Sequence, residues 1–163
     1  MTADMIKIGI PGAAGRMGGM IIREIARYDD MVLVAATDRP GSDAIGQDSG
    51  LISGVGAIDV PVSDDPATLF VCADVVIDFS SPQASAAHAA LAREHGTSLV
   101  IGTTGLTSAD EADLAAAADR AALVYCANTS IGVTLLSRLV EQVASQLGDC
   151  LLYTSDAADE HSW

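Results

Sequence analysis

Mainly apolar runs of strand length alternate with amphipathic stretches along most of the chain. Ile6–Ile10, Met31–Thr37, Val75–Phe79, Ser98–Ile101 and Ala122–Tyr125 predict strands. Near-continuous apolarity, rather than strict alternation, suits strands covered on both faces. Val60–Val62 predicts a further short strand. Between these runs, Arg16–Tyr28 carries Met17, Ile21 and Ile25 on one helical face. Asp65–Val71 predicts a short helix. Pro82 opens a helix to about His95, because a first-turn residue needs no intrahelical N–H partner. Ser108–Arg120 predicts a helix with Ser108 as N-cap and Glu111 three residues on. Gly132–Leu147 predicts a final helix. Pro40 to about Ile58 is rich in Gly and Asp without periodicity, and such a long loop points to a functional flap. Strand–helix alternation of this kind implies the α/β class, with a parallel sheet between helices.

Composition narrows the partners. The 163 residues carry a net charge of −14 with only 8 Lys plus Arg. That balance supplies no basic face for nucleic acid and none for an anionic membrane surface. No run approaches the roughly 18 apolar residues of a membrane span, and no charged-then-apolar leader opens the chain. Aromatic residues make up 4%, so the core must be aliphatic. Cys72, Cys126 and Cys150 are scattered, which fits reduced thiols in a cytoplasmic protein better than a disulfide framework.

The candidate chemistry lies where runs end. Gly12-Ala13-Ala14-Gly15-Arg16-Met17-Gly18 joins the first strand to the first helix. A pyrophosphate needs backbone N–H donors and the positive end of a helix, and glycine keeps side chains out of that contact. Asp38 ends the second strand, at the distance where a carboxylate accepts from the adenosine ribose hydroxyls. Together these predict a Rossmann-type doubly wound parallel sheet holding NADH or NADPH. Asp38 favours NADH, whereas Arg39 beside it suits a 2′-phosphate. Gly102-Thr103-Thr104-Gly105 and Ala127-Asn128-Thr129-Ser130 follow two later strands, on the edge where open α/β sheets bind ligands. Asp78-Phe79-Ser80-Ser81-Pro82 occupies the same edge. His88 and His95 share one predicted helix without a third metal ligand in view, so no metal is expected. No catalytic triad or dedicated general acid is readable.

These motifs resemble one family, the 4-hydroxy-tetrahydrodipicolinate reductases, also called dihydrodipicolinate reductases. The matching runs are Gly12–Gly18, Val75–Pro82, Ile101–Leu106 and Ala127–Leu136, with Gly46-Gln47-Asp48 in the long loop. The resemblance implies hydride reduction of a cyclic dicarboxylate in lysine and diaminopimelate biosynthesis, by a cytoplasmic homo-oligomer. It implies that Gly12, Ala13, Ala14, Gly15, Arg16 and Met17 cradle the pyrophosphate, and that Asp38 and Arg39 meet the adenosine ribose. Gly102, Thr103 and Thr104 would line the nicotinamide side, with Cys126, Ala127, Asn128 and Thr129 closing the site. The family's His-His-x-x-Lys motif, whose histidine and lysine hold and protonate substrate, does not occur in these 163 residues. The expectation is therefore a dinucleotide-binding domain over 1–130 and the start of a substrate and oligomerisation domain over 131–149. The mixed α/β remainder would be missing, leaving no catalytic residue here. Two other readings stay open: a different Rossmann oxidoreductase, such as a semialdehyde or homoserine-type dehydrogenase, or a non-enzymatic NAD-binding module.

Residues 150–163 break the pattern. Cys150–Glu160 (CLLYTSDAADE) matches the in-frame translation of a transposon-based sequencing adapter, which predicts a non-native tail. Codons 149 to 160 should then spell that adapter. Independent reads that carry the same codons uninterrupted within a longer gene would refute this origin.

Overall fold

The computed structural model describes residues 5–147. The expected tail from Cys150 lies outside them. The chain divides into two units, Met1–Ala127 and Asn128–Trp163.

The first unit is wound around β1 (Ile6–Pro11). It continues through α1 (Arg16–Ile25), β2 (Met31–Thr37), α2 (Ser49–Ser53), β3 (Val62–Ser63) and α3 (Ala67–Cys72). The second half runs β4 (Val75–Asp78), α4 (Pro82–His95), β5 (Ser98–Ile101), α5 (Ser108–Ala117) and β6 (Leu123–Tyr125). The strands form one sheet in the order β3-β2-β1-β4-β5-β6, and every strand pair is parallel. This is the expected Rossmann-type sheet. Its winding reverses between β1 and β4, and there the connections leave in opposite directions and open a crevice at the carboxyl ends.

Aliphatic side chains cover both faces. Ile8, Ile10, Leu33 and Val62 pack with Ile22 and Ile25 of α1. Val76, Leu99 and Ile101 pack with Leu69 and Phe70 of α3 and Leu114 of α5. The largest side chains here lose nearly all their exposure, which supplies the main driving force for folding.

Several element ends differ from expectation, each for a local reason. α1 stops at Ile25, because the N–H groups of Arg27 and Tyr28 bond three residues back and tighten the last turn. The α5 cap is Thr107 rather than Ser108. Its hydroxyl accepts from Asp110 N–H, and the Asp110 carboxylate accepts from Thr107 N–H, so Asp110 takes the part expected of Glu111. β3 is Val62–Ser63 rather than Val60–Val62. The Val60 carbonyl is occupied by Ser49 N–H and Ser49 Oγ, and Pro61 has no N–H to offer a neighbouring strand. α3 begins at Ala67, where Asp65 accepts from the Ala67 N–H.

The Pro40–Ile58 stretch is no open flap. Gly46 N–H donates to Val62 O at 2.8 Å, and Val62 N–H donates to Gln47 O at 2.9 Å. The Asp48 carboxylate caps α2 through Gly50 and Leu51 N–H and reaches across to Ile58 N–H. Desolvation raises the pKa of Asp48, but the amide hydrogen bonds from Leu51, Ile58, Asp59 and Gly50 outweigh it and hold it below the ordinary 3.8.

The described part of the second unit is a single helix, α6 (Ile131–Leu147). The Ser130 N–H donates to Asn128 Oδ1 ahead of it, and Ser130 Oγ accepts from Val133 N–H. No helix of the described residues is long and apolar enough to cross a membrane.

Asp48→Ala should lower the thermal midpoint by several degrees, because one carboxylate both caps α2 and ties it to Ile58 at the end of the Pro40–Ile58 lobe. Asp43→Ala, on the exposed side of the same lobe, should leave it unchanged. Equal melting of the two variants in a calorimetric scan would remove Asp48 from this role.

Candidate functional site

The turn after β1 is shaped by backbone crowding. Gly12 sits at φ +66°, the left-handed region open to glycine. The Ala13 N–H donates to Thr37 O at 2.9 Å, tying the turn to the end of β2. A Cβ on Gly18 would lie 2.2 Å from Gly12 O, so only glycine lets α1 start so close to the turn. At the N-cap of α1, Gly15 offers no side-chain cap, and the first turn has no acidic residue. By contrast, α4 and α5 are capped by Ser81 and Thr107. The first-turn amides of α1 therefore keep their donors and their partial positive charge for an anion.

In front of this turn lies a cleft of about 500 Å³. Gly12 and Gly15 line one part of it, and Asp38, Arg39, Asp64 and Pro66 line another. The opposing wall is Phe79, Ser80 and Ser81, followed by the first turns of α4. Ser80 comes close to the glycine turn: a Cβ on Gly12 would lie 3.6 Å from Ser80 Cβ. The Asp38 carboxylate is oriented by Arg39 N–H at 2.7 Å and Ser42 Oγ at 3.2 Å.

A buried polar cluster supports that wall. Asp78, at the end of β4, is 0% exposed. Its Oδ2 lies 2.8 Å from His88 Nδ1, and its Oδ1 accepts from Ser80 N–H at 2.8 Å and Ser80 Oγ at 2.5 Å. Desolvation pushes the Asp78 pKa up, but the His88 and Ser80 hydrogen bonds and the His88 charge outweigh it and hold it below the ordinary 3.8. An ionised carboxylate only accepts, so His88 Nδ1 carries the hydrogen. The His88 ring also packs against Phe70, with centroids 5.8 Å apart. Ser85 Oγ donates to Thr103 Oγ1 at 2.9 Å, and Thr103 Oγ1 points to Asp78 O at 3.5 Å.

Of the residues expected at the site, the cleft brings together Gly12, Gly15, Asp38 and Arg39. Ala13 turns into the core, while Ala14 on the turn and Arg16 and Met17 at the start of α1 are exposed and do not line the cleft. Gly102 lies beneath the Phe79 ring, where a Cβ would be 2.0 Å from a ring carbon. Thr103 is buried as a support, and Thr104 is exposed. Cys126 extends the β5–β6 ladder through its N–H to Ile101 O. Ala127 ends the first unit, and Asn128 and Thr129 belong to the second. His88 pairs with Asp78, and His95 is exposed at the end of α4. Among the described residues, no group of His, Cys, Asp and Glu is placed to hold a metal. Sequence reasoning missed Asp64, Pro66 and the role of His88. The signal for the first two was an Asp-Asp-Pro turn after a short apolar run.

The sequence model described as "Dihydrodipicolinate reductase, N-terminus" matches residues 6–129. The chain belongs to the dihydrodipicolinate reductase family. The 4-hydroxy-tetrahydrodipicolinate reductase of Alkalilimnicola ehrlichii is 48% identical over 143 residues, which cover 88% of this chain and 54% of that protein. The Rhizobium rhizogenes reductase is 47% identical over 147 residues, covering 90% and 54%. The chain thus spans about half the length of the curated reductases it matches. Among solved structures, the dipicolinate-bound dihydrodipicolinate reductase from Paenisporosarcina sp. TG-14 aligns with a TM-score of 0.67 at 24% identity, over 86% of this chain and 54% of that one. The WlbA dehydrogenase from Chromobacterium violaceum, in complex with NADH and UDP-GlcNAcA, aligns at 0.64 and 16%, over 90% and 41%. At these identities the structures speak for the fold alone.

Removing the His88 donor strands the buried Asp78 carboxylate without its hydrogen-bond partner. His88→Leu should cost about 3–5 kcal/mol in urea unfolding. Because the Asp78 pKa is depressed on folding, its contribution is present above pH 3.8 and is lost as pH falls below that value. Asp78→Asn should therefore flatten the acid limb of the stability–pH curve. An unaltered acid limb would show that Asp78 does not carry it.

Proposed function

We propose that this chain is the cofactor-holding part of a 4-hydroxy-tetrahydrodipicolinate reductase, with NADH or NADPH in the cleft between β1 and β4. The observation that carries the reading is the uncapped α1 N-terminus behind Gly12 and Gly15, sharing one cleft with Asp38. The residues present fit a dinucleotide. Gly12, Gly15 and the first amides of α1 bind the pyrophosphate. Asp38, already oriented by Ser42, accepts from ribose hydroxyls, and Arg39 meets a 2′-phosphate. Phe79, seated over Gly102, closes the wall towards the nicotinamide, where Thr104 is exposed at the end of β5. When bound, the reduced nicotinamide supplies the hydride. The chain's own residues orient it and exclude water on one side.

In this reading the substrate is the family's cyclic dicarboxylate, in lysine and diaminopimelate biosynthesis. In the same reading the whole enzyme is a cytoplasmic homo-oligomer; this chain spans about half the length of the Alkalilimnicola reductase, and the substrate-protonating His and Lys that the resemblance implies belong to the remainder. The 48% identity selects this reading over other Rossmann oxidoreductases, whose likeness is one of fold.

Two measurements test it. NADH and NADPH titrated against the chain by fluorescence should bind with affinities within about tenfold of each other. Arg39→Ala should weaken NADPH more than NADH. A chimaera joining residues 1–149 to the second half of the Alkalilimnicola reductase should oxidise NADH with the cyclic substrate, while the chain alone should not. A folded chain that binds neither cofactor, or a folded chimaera without turnover, would overturn the assignment.

A further inference from the structure

Asp64 is the first residue beyond β3, as Asp38 is the first beyond β2. Thr37 and Ser63 are register partners, and Asp38 N–H donates to Ser63 O at 2.9 Å. The strands are parallel, so both carboxylates emerge at one level of the sheet and in one direction. Both line the cleft, together with Arg39, Pro40 and Pro66.

The two carboxylates are in different states. Asp38 is engaged by Arg39 N–H and Ser42 Oγ. Asp64 is exposed and takes no hydrogen bond or ion pair among the described residues. The neighbouring Asp65 is spent on the N-terminus of α3, through Ala67 N–H, and does not line the cleft. The Arg39 guanidinium likewise has no ion-pair partner among the described residues. This end of the cleft therefore sets one guanidinium against two carboxylates, a balance of −1 before any ligand arrives.

We propose that Asp64 is a specificity residue, which sets the cleft against a 2′-phosphate and so biases it towards NADH. The proposal rests on the dinucleotide reading above. A phosphate monoester carries close to two negative charges at neutral pH, whereas a ribose hydroxyl carries none. The pyrophosphate charge is common to both cofactors, so the Asp64 charge discriminates through the 2′-phosphate, which only NADPH carries. Arg39 pulls in the opposite direction, and the two residues together decide the preference. Because Asp64 is exposed, its effect is screened by salt over about 8 Å at physiological ionic strength and about 3 Å at 1 M.

The test is Asp64→Asn in the full 163-residue chain, with Asp113→Asn on the exposed side of α5 as the equal-charge control. Dissociation constants for NADH and NADPH are measured by titration at low and high salt. Asp64→Asn should tighten NADPH about three- to tenfold and leave NADH unchanged, and the gain should shrink as salt rises. Asp113→Asn should change neither cofactor. An unchanged NADPH-to-NADH ratio overturns the assignment of Asp64 while leaving the cofactor site standing. So does equal weakening of both cofactors, which marks a contact to the shared adenine, and so does an equal gain in the Asp113 variant. Wild-type chain that binds neither cofactor overturns the dinucleotide reading and this inference with it.

Discussion

A carboxylate with no exposure at all sits at the end of β4, and much of the cleft is arranged around it. Burying a charge is costly unless it is paired and hydrogen-bonded. For Asp78 that requirement is met from two directions: His88 comes in from α4, and Ser80 folds back from the following turn. Meeting it dictates where α4 can lie and how the Phe79–Ser81 turn must bend. The same turn faces the glycine loop on one side and covers Gly102 on the other. A structural need of the interior thus becomes the shape of a binding wall.

The opposite wall has a different logic. Where Asp78 collects donors, the α1 N-terminus withholds acceptors. Gly15 caps nothing, no acidic side chain enters the first turn, and Gly18 lets the helix begin against the preceding loop. Unmet amide donors next to a crevice suit an anionic ligand better than they suit stability. The sheet order brings the two walls together, since only at the reversal between β1 and β4 do the connections part and leave the crevice open.

The lobe between β2 and β3 contributes indirectly. Asp48 ties α2 to Ile58, while Gly46 N–H and the Gln47 carbonyl bond Val62 of β3, the short strand that pairs with β2. The end of the cleft lined by Asp38 consequently has residues following two strands rather than one. The charge of that end is then a property of neighbouring strand ends, with Arg39 and a carboxylate from each lining the same cleft.

How far each feature could be read from the sequence depends on how far apart its determinants lie. Alternating apolar runs and helical faces are local, and they placed β2, β5 and α4 with their observed bounds and implied the parallel sheet. The glycine turn and Asp38 were legible because crowding at a strand–helix junction and the end of the next strand leave marks within a short stretch. Cap positions and short strands were less so: Thr107 displaced Ser108, and β3 moved towards Ser63, through competition among neighbours for the same N–H and C=O groups. The pairing of Asp78 with His88 and the inward turn of Thr103 required the tertiary structure. So did the loss of Ala13 N–H to Thr37 and the arrival of Asp64 beside Asp38. Each depends on which strands and helices become neighbours, and a local pattern of apolar and polar residues carries no record of that choice.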